Sequence, residues 1–223
     1  MKKLVLTLTA ISLASLAAFA QGKIRFVNDS THLVYLSSDT TQVSAGDQAN
    51  AGKLPGAGGS VSGAWGQGSV NLVADLYGGT SSSSLTLQST TTFSASSLGT
   101  INGVNVATTL PGGATEFFQI QIHEADIANA SLASGTNGYY FGFSTIFTTT
   151  TGSSLAYNSL VQAGAPANST FAPGAIDESA SYGAAGAKGV IQVAINPVPE
   201  PASFALAGLG AAALMIFRRR NKA

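Results

Sequence analysis

His32 and His123 are the only imidazoles in the chain, and His123 opens the run His123-Glu124-Ala125-Asp126. Those are metal-ligand residue types, but a zinc-binding helix needs a second histidine at position 127, where Ile127 stands. If Glu116 to His123 is a strand, His123 points to its polar face and Glu124 marks its exit, both in water. Glycoside hydrolysis needs two carboxylates about 5–10 Å apart in a cleft. Asp75, Glu116, Glu124, Asp126 and the adjacent Asp177 and Glu178 could supply them, the last two from a Gly/Ala-rich stretch that would hold a site loosely. Calcium takes carboxylates and loop carbonyls, and Asp29, Asp39 and Asp47 lie in loop-rich sequence, yet no Asp-x-Asp-x-Asp-Gly loop frames them. No Gly-x-Ser-x-Gly elbow occurs either, since Gly142-Phe143-Ser144-Thr145-Ile146 lacks the second glycine. The chain has no cysteine, which excludes disulfides, thiolate metal sites and thiol nucleophiles. The expectation is a domain with no catalytic, cofactor-binding or metal-binding residue.

Charge narrows the partners. Ten Lys and Arg balance ten Asp and Glu over the 223 residues. Between Gln21 and Asn196, however, only Lys23, Arg25, Lys53 and Lys188 are basic. A nucleic-acid surface needs clustered Lys and Arg that this region lacks.

Basic residues gather instead at the two ends, beside apolar segments. Met1-Lys2-Lys3 precedes an apolar run from Leu4 to Phe19 that closes in Ala18-Phe19-Ala20. A positive start, a short hydrophobic core and an Ala-x-Ala site predict a secretory signal peptide over 1–20. Signal peptidase would then cut after Ala20 and leave Gln21 first. At the other end an apolar segment, 202–217, runs into Arg218-Arg219-Arg220-Asn221-Lys222-Ala223. As a helix it would reach about 24 Å, against roughly 30 Å for a bilayer's hydrocarbon core. Snorkelling arginines let so short a helix span, and the positive-inside rule puts the tail 218–223 in the cytoplasm.

Before that segment lies a linker, 196–201, with Pro197, Pro199 and Pro201. Three prolines in five residues keep it extended and delay any helix. The order Pro199-Glu200-Pro201, short hydrophobic helix, Arg218-Arg219-Arg220, chain end resembles the PEP-CTERM sorting signal of Gram-negative bacteria. The resemblance implies handling by an exosortase, a membrane-embedded processing enzyme, in systems that accompany exopolysaccharide and biofilm production. It implies nothing about the activity of the cargo.

What remains, 21–195, is long enough for one domain with its own core. Period-two runs dominate it. Lys23 to Val27 and His32 to Leu36 read as short strands. Ser69 to Tyr77 places Val70, Leu72, Ala74 and Leu76 on one face, with Asn71 and Asp75 opposite. Glu116 to His123 does the same with Phe118, Ile120 and Ile122 against Gln119, Gln121 and His123. Tyr139 to Phe147 reads as a further strand with Phe141, Phe143 and Phe147 in the core, and Val190 to Ile195 as the last. Glu124 to Ser134 is the one helical stretch, and Ala49 to Gly68, with Pro55 and Trp65, reads as a long mobile connection. The fold class expected is mainly β, a single antiparallel β-sandwich-like domain, followed by one short transmembrane helix. The function expected is that of an exported, non-enzymatic surface or exopolysaccharide-matrix protein. The alternatives are a carbohydrate-binding module, using Trp65, Tyr77, Tyr139 or Tyr140 as stacking platforms, and a glycan-active hydrolase.

Overall fold

The computed structural model describes residues 21–28, 33–63, 68–144, 146–153, 157–160 and 191–195. Among them are β1 (Gln21–Phe26), β2 (Val34–Leu36), β3 (Ser60–Ser62), β4 (Ser69–Gly79), β5 (Thr86–Thr92) and β6 (Val104–Pro111). β7 (Thr115–Glu124), the helix α1 (Ala130–Gly135), β8 (Tyr140–Phe143), β9 (Phe147–Thr150), β10 (Asn158–Ser159) and β11 (Ile191–Ile195) follow. One sheet has the order β10-β1-β6 and the other β2-β11-β8-β7-β4-β3, with β5 also on β4 and β9 also on β7. The body of the fold is antiparallel, but β1 with β10 and β2 with β11 pair in parallel.

Alternation explains why these residues form strands. Leu72, Ala74 and Leu76 of β4 are buried on the same face as Phe118, Ile120 and Ile122 of β7, because Ala74 pairs with Ile122 and Leu76 with Ile120. Ile24 and Phe26 of β1 and Val106 and Leu110 of β6 bring the smaller sheet to the same core. Gly78 sits where the two sheets close: a Cβ there would lie 2.8 Å from the Phe118 ring and 3.0 Å from Leu110. β6 is hard to see in sequence because Thr108 takes a core-facing position between Val106 and Leu110. Its hydroxyl is satisfied by the Gly22 carbonyl at 3.0 Å, so the threonine stays buried at little cost.

Three expectations are corrected. Tyr139 to Phe147 is two strands rather than one. Ser144 interrupts it, donating its N–H to the Ile120 carbonyl while its hydroxyl accepts the Ile120 N–H at 2.8 Å. The break shifts the phase of the alternation. Phe147 therefore enters the core beside Phe118, with ring centroids 6.3 Å apart. Phe141 and Phe143 pair with His123 and Gln121, and so lie on the opposite face from Phe118 and Ile120. The helix is shorter than expected and begins at Ala130, where Asn129 caps it by accepting the Leu132 N–H. Glu124 still belongs to β7. The stretch read as a mobile connection carries the end of a 3-10 helix (Ala45–Asn50), a second one (Ala57–Gly59) and β3. Among the described residues no helix is long and apolar enough to cross a membrane; the signal-peptide segment 1–20 and the segments 196–201, 202–217 and 218–223 lie outside them.

Candidate functional site

The central strands β4, β5 and β7 bring together the residues whose types could do chemistry. Asp75 pairs with Gln121 on one side and Thr90 on the other, so it faces away from the main core, on the same side as His123. Both were expected in water, and both are buried, at 2% and 4% exposure. His123 Nε2 lies 3.2 Å from Asp75 Oδ2, and Asp75 Oδ1 accepts the Thr90 hydroxyl at 2.6 Å. His123 Nδ1 faces the Glu124 carbonyl oxygen at 2.7 Å. A carbonyl and a carboxylate are both acceptors, so the two contacts are satisfied together by an imidazolium that donates from each nitrogen. Burial lowers the His123 pKa. The bond to Asp75, the Glu124 carbonyl, the Asp75 charge and the Ile127 backbone outweigh it and hold the ring above its ordinary value. The result is a buried pair that becomes an ion pair when the ring is protonated. It is not an activated nucleophile, because Thr90 bonds the acid rather than the histidine that would have to take its proton.

Glu124 lies on the other face of β7, fully buried at 0% exposure. Its Oε1 accepts the Tyr140 N–H at 2.8 Å, while Oε2 has no hydrogen-bond partner among the described residues. Burial raises its pKa to about 6, opposed by the Tyr140 bond and aided by the charge on Asp126. A further buried carboxylate, Asp47, lies nearby in the fold. Its Oδ2 accepts the Tyr140 hydroxyl at 2.8 Å, the Ser62 N–H at 2.7 Å and the Ser44 hydroxyl at 3.1 Å. Asp47 therefore anchors the 3-10 helix to β3 and β8 rather than offering itself to calcium. Asp39 caps a separate turn by accepting the Thr41 N–H and hydroxyl. Among the described residues no three His, Asp or Glu side chains form a metal-holding group.

These bonds predict how stability follows pH. A carboxyl whose folded pKa lies above its unfolded value stabilises fully below the unfolded value and loses that contribution as pH rises through the folded one. Glu124 does so between about 4.5 and 6, which is worth about 2 kcal/mol for a shift near 1.5 units. His123, also raised, acts in the same direction at higher pH. The domain is expected to gain stability as pH falls from 8 to 5, measured by urea midpoints. Glu124→Gln should flatten the part of that rise below pH 6.5. A wild-type midpoint that falls steadily from pH 8 to 5 would contradict both assignments.

Among the described residues Asp75, Glu116 and Glu124 do not assemble into a hydrolytic pair. Asp75 faces one side of the sheet, and Glu116 and Glu124 the other. Glu116 and Glu124 are eight residues apart on one strand, about 27 Å at 3.4 Å per residue, well beyond the separation two catalytic carboxylates need. Asp126 is exposed in the turn after β7, but its neighbour Glu124 is sealed from solvent. A hollow of about 490 Å³, lined among others by Tyr35, Asn50, Lys53, Leu54 and Leu98, has no acid in its wall. His32, Asp29, Trp65, Asp177 and Glu178 lie outside the described residues. Of the stacking candidates, Tyr140 is wholly buried and Tyr77 and Tyr139 are half-buried.

An unanticipated feature is the outer face of the larger sheet. Tyr77 stands there opposite Gln119 and Leu87, and Phe143 opposite Gln121. Phe143 is 37% exposed and tilts against Phe141 with centroids 6.0 Å apart. Between them Gln121 donates to Gln119 Oε1 at 2.9 Å, and Gln119 donates to the Ser144 carbonyl at 3.0 Å. The signal was present in the alternation of β4 and β7. The phase of β8 was missing.

Among the described residues of this mainly β domain, Asp39, Asp47, Asp75 and Glu124 are drawn into structural bonds, and the last described strand ends at Ile195. Residues 197–220 match the family model for the PEP-CTERM protein-sorting motif. The motif marks an exported protein, processed by exosortase, a membrane enzyme, and sorted to the cell envelope or surface. No curated protein and no solved structure matches the chain.

Proposed function

We propose that the central domain is a non-enzymatic component of the cell surface or exopolysaccharide matrix, delivered there through its C-terminal motif. The observation that supports this reading is the fate of the ionisable groups: Asp75 and His123 are spent on each other, and Asp47 and Glu124 on Tyr140. Catalysis needs such groups within reach of a substrate, in a cleft that can hold it. Glu200 within Pro199-Glu200-Pro201, with Arg218, Arg219 and Arg220 after the apolar segment, carries the address. Ala18, Ala20 and Gln21 frame the export cleavage.

A second reading draws on the outer face. Tyr77, Phe141 and Phe143, with a fixed row of glutamine amides, offer apolar rings beside hydrogen-bonding groups and no unpaired charge, which suits a neutral glycan. In this reading the domain holds matrix polysaccharide without altering it. Incubating the protein with host exopolysaccharide separates the readings. Unchanged polymer length supports the non-enzymatic role, and retention lost in Phe143→Ala with Tyr77→Ala supports glycan binding. Release of shortened chains would overturn the proposal.

A further inference from the structure

The registers show at which end of the domain the sorting motif begins. Ile195 is opposite Tyr140, the first residue of β8, which follows α1 and its turn. β7 reaches the same end with Glu124 opposite Leu72, and β2 with Leu36 opposite Val193. The 3-10 helix Ala45–Asn50 is tied there through Asp47 and Tyr140. The far end carries the turn 80–84 between β4 and β5 and the turn Gly112-Gly113 between β6 and β7. Gln21 is there too, opposite Pro111. The chain thus enters the described fold at one end and leaves it at the other.

The tether is short. The motif starts at Pro197, two residues past Ile195, and Pro199 is four peptide steps away, at most about 14 Å of extended chain. β4 alone has 11 residues, which separates the two ends by about 35 Å.

We infer that the α1 end of the domain is the surface that docks against the membrane-embedded processing enzyme when the motif is engaged, with the turn 80–84 pointing away. An enzyme that grips Pro199-Glu200-Pro201 works within about 14 Å of Ile195, at the end where α1 and its turn lead into β8. Leu132, on α1, is 52% exposed and supplies an apolar contact there. The inference rests on the sorting role of the motif and is independent of whether the domain binds glycan.

The absence of cysteine makes the test clean. Full-length protein carrying Leu132→Cys or Ser83→Cys, both at exposed positions, is labelled with a benzophenone maleimide. It is then irradiated in phospholipid vesicles with epitope-tagged, catalytically inactive processing enzyme. The label at 132 should capture the tagged enzyme about tenfold more than the label at 83. Inserting a flexible Gly/Ser segment of about twelve residues after Ile195 should erase that preference by diluting the tethered surface. Equal capture from both positions, stronger capture from 83, or crosslinks from 132 to lipid alone would overturn the inference. If the enzyme fails to co-purify with the unlabelled chain, the sorting role itself fails, a result distinguishable from a misplaced surface.

Discussion

Phe118→Ala is expected to lower the stability of the domain by about 3–5 kcal/mol, the usual effect of emptying a buried phenylalanine site, whereas Phe143→Ala should change it by about 1 kcal/mol or less. Phe118 is fully buried, packed on Phe147 and closed over by Gly78 and Leu110 from the two sheets. Its removal leaves a void that neighbours in two sheets must both move to fill. Phe143 stands opposite Gln121 on the outer face, so its loss mostly uncovers surface that water already reaches. Urea unfolding of the two variants measures the difference directly. Equal midpoints would mean that β8 is out of register by one residue, since such a slip exchanges the faces of every side chain in the strand.

Val193→Asp should abolish the cooperative unfolding transition altogether. Val193 has no exposure, and β11 lies between β2 and β8 inside the larger sheet. A carboxylate there meets Leu36 opposite and no described basic partner. An unpaired buried charge costs several kcal/mol, a large share of the roughly 5–15 kcal/mol that stabilises a domain. A variant that still unfolds cooperatively, at a midpoint near the wild type's, would show β11 to be dispensable. The placement also bears on processing. Because the sheet is completed by residues 191–195 and the motif follows at once, any cut made upstream of Ile195 would remove an internal strand along with the signal.

Much of the fold is legible in the chain because its strands alternate cleanly where one face is buried. Leu72, Ala74 and Leu76, and Phe118, Ile120 and Ile122, announce their face by period alone. Period fails where the alternation changes phase. Phe141, Phe143 and Phe147 are all odd-numbered, and nothing local says that Ser144 will bond Ile120 twice and invert the parity between them. It fails again where a polar side chain is buried with a partner far away in sequence. Asp75 reads as a surface acid until His123, 48 residues on, and Thr90 close around it. Tyr140 reads as an aromatic platform until Asp47, 93 residues earlier, takes its hydroxyl. The parallel pairs β1–β10 and β2–β11 were equally hidden, since pairing direction has no local signature in strands of two to six residues. The sorting signal, by contrast, is linear: Pro199-Glu200-Pro201, an apolar segment and Arg218-Arg219-Arg220 follow one another within residues 197–220, so the order of residues states it.

We propose that this domain travels on a signal that is used and then removed. Intact-mass spectrometry of the mature protein from its native host tests that most directly. The account predicts a chain that begins at Gln21, retains β11 through Ile195, and lacks Phe217 and the basic tail Arg218-Arg219-Arg220-Asn221-Lys222-Ala223. A mass matching residues 21–223 complete would contradict it and leave a simple membrane-anchored protein.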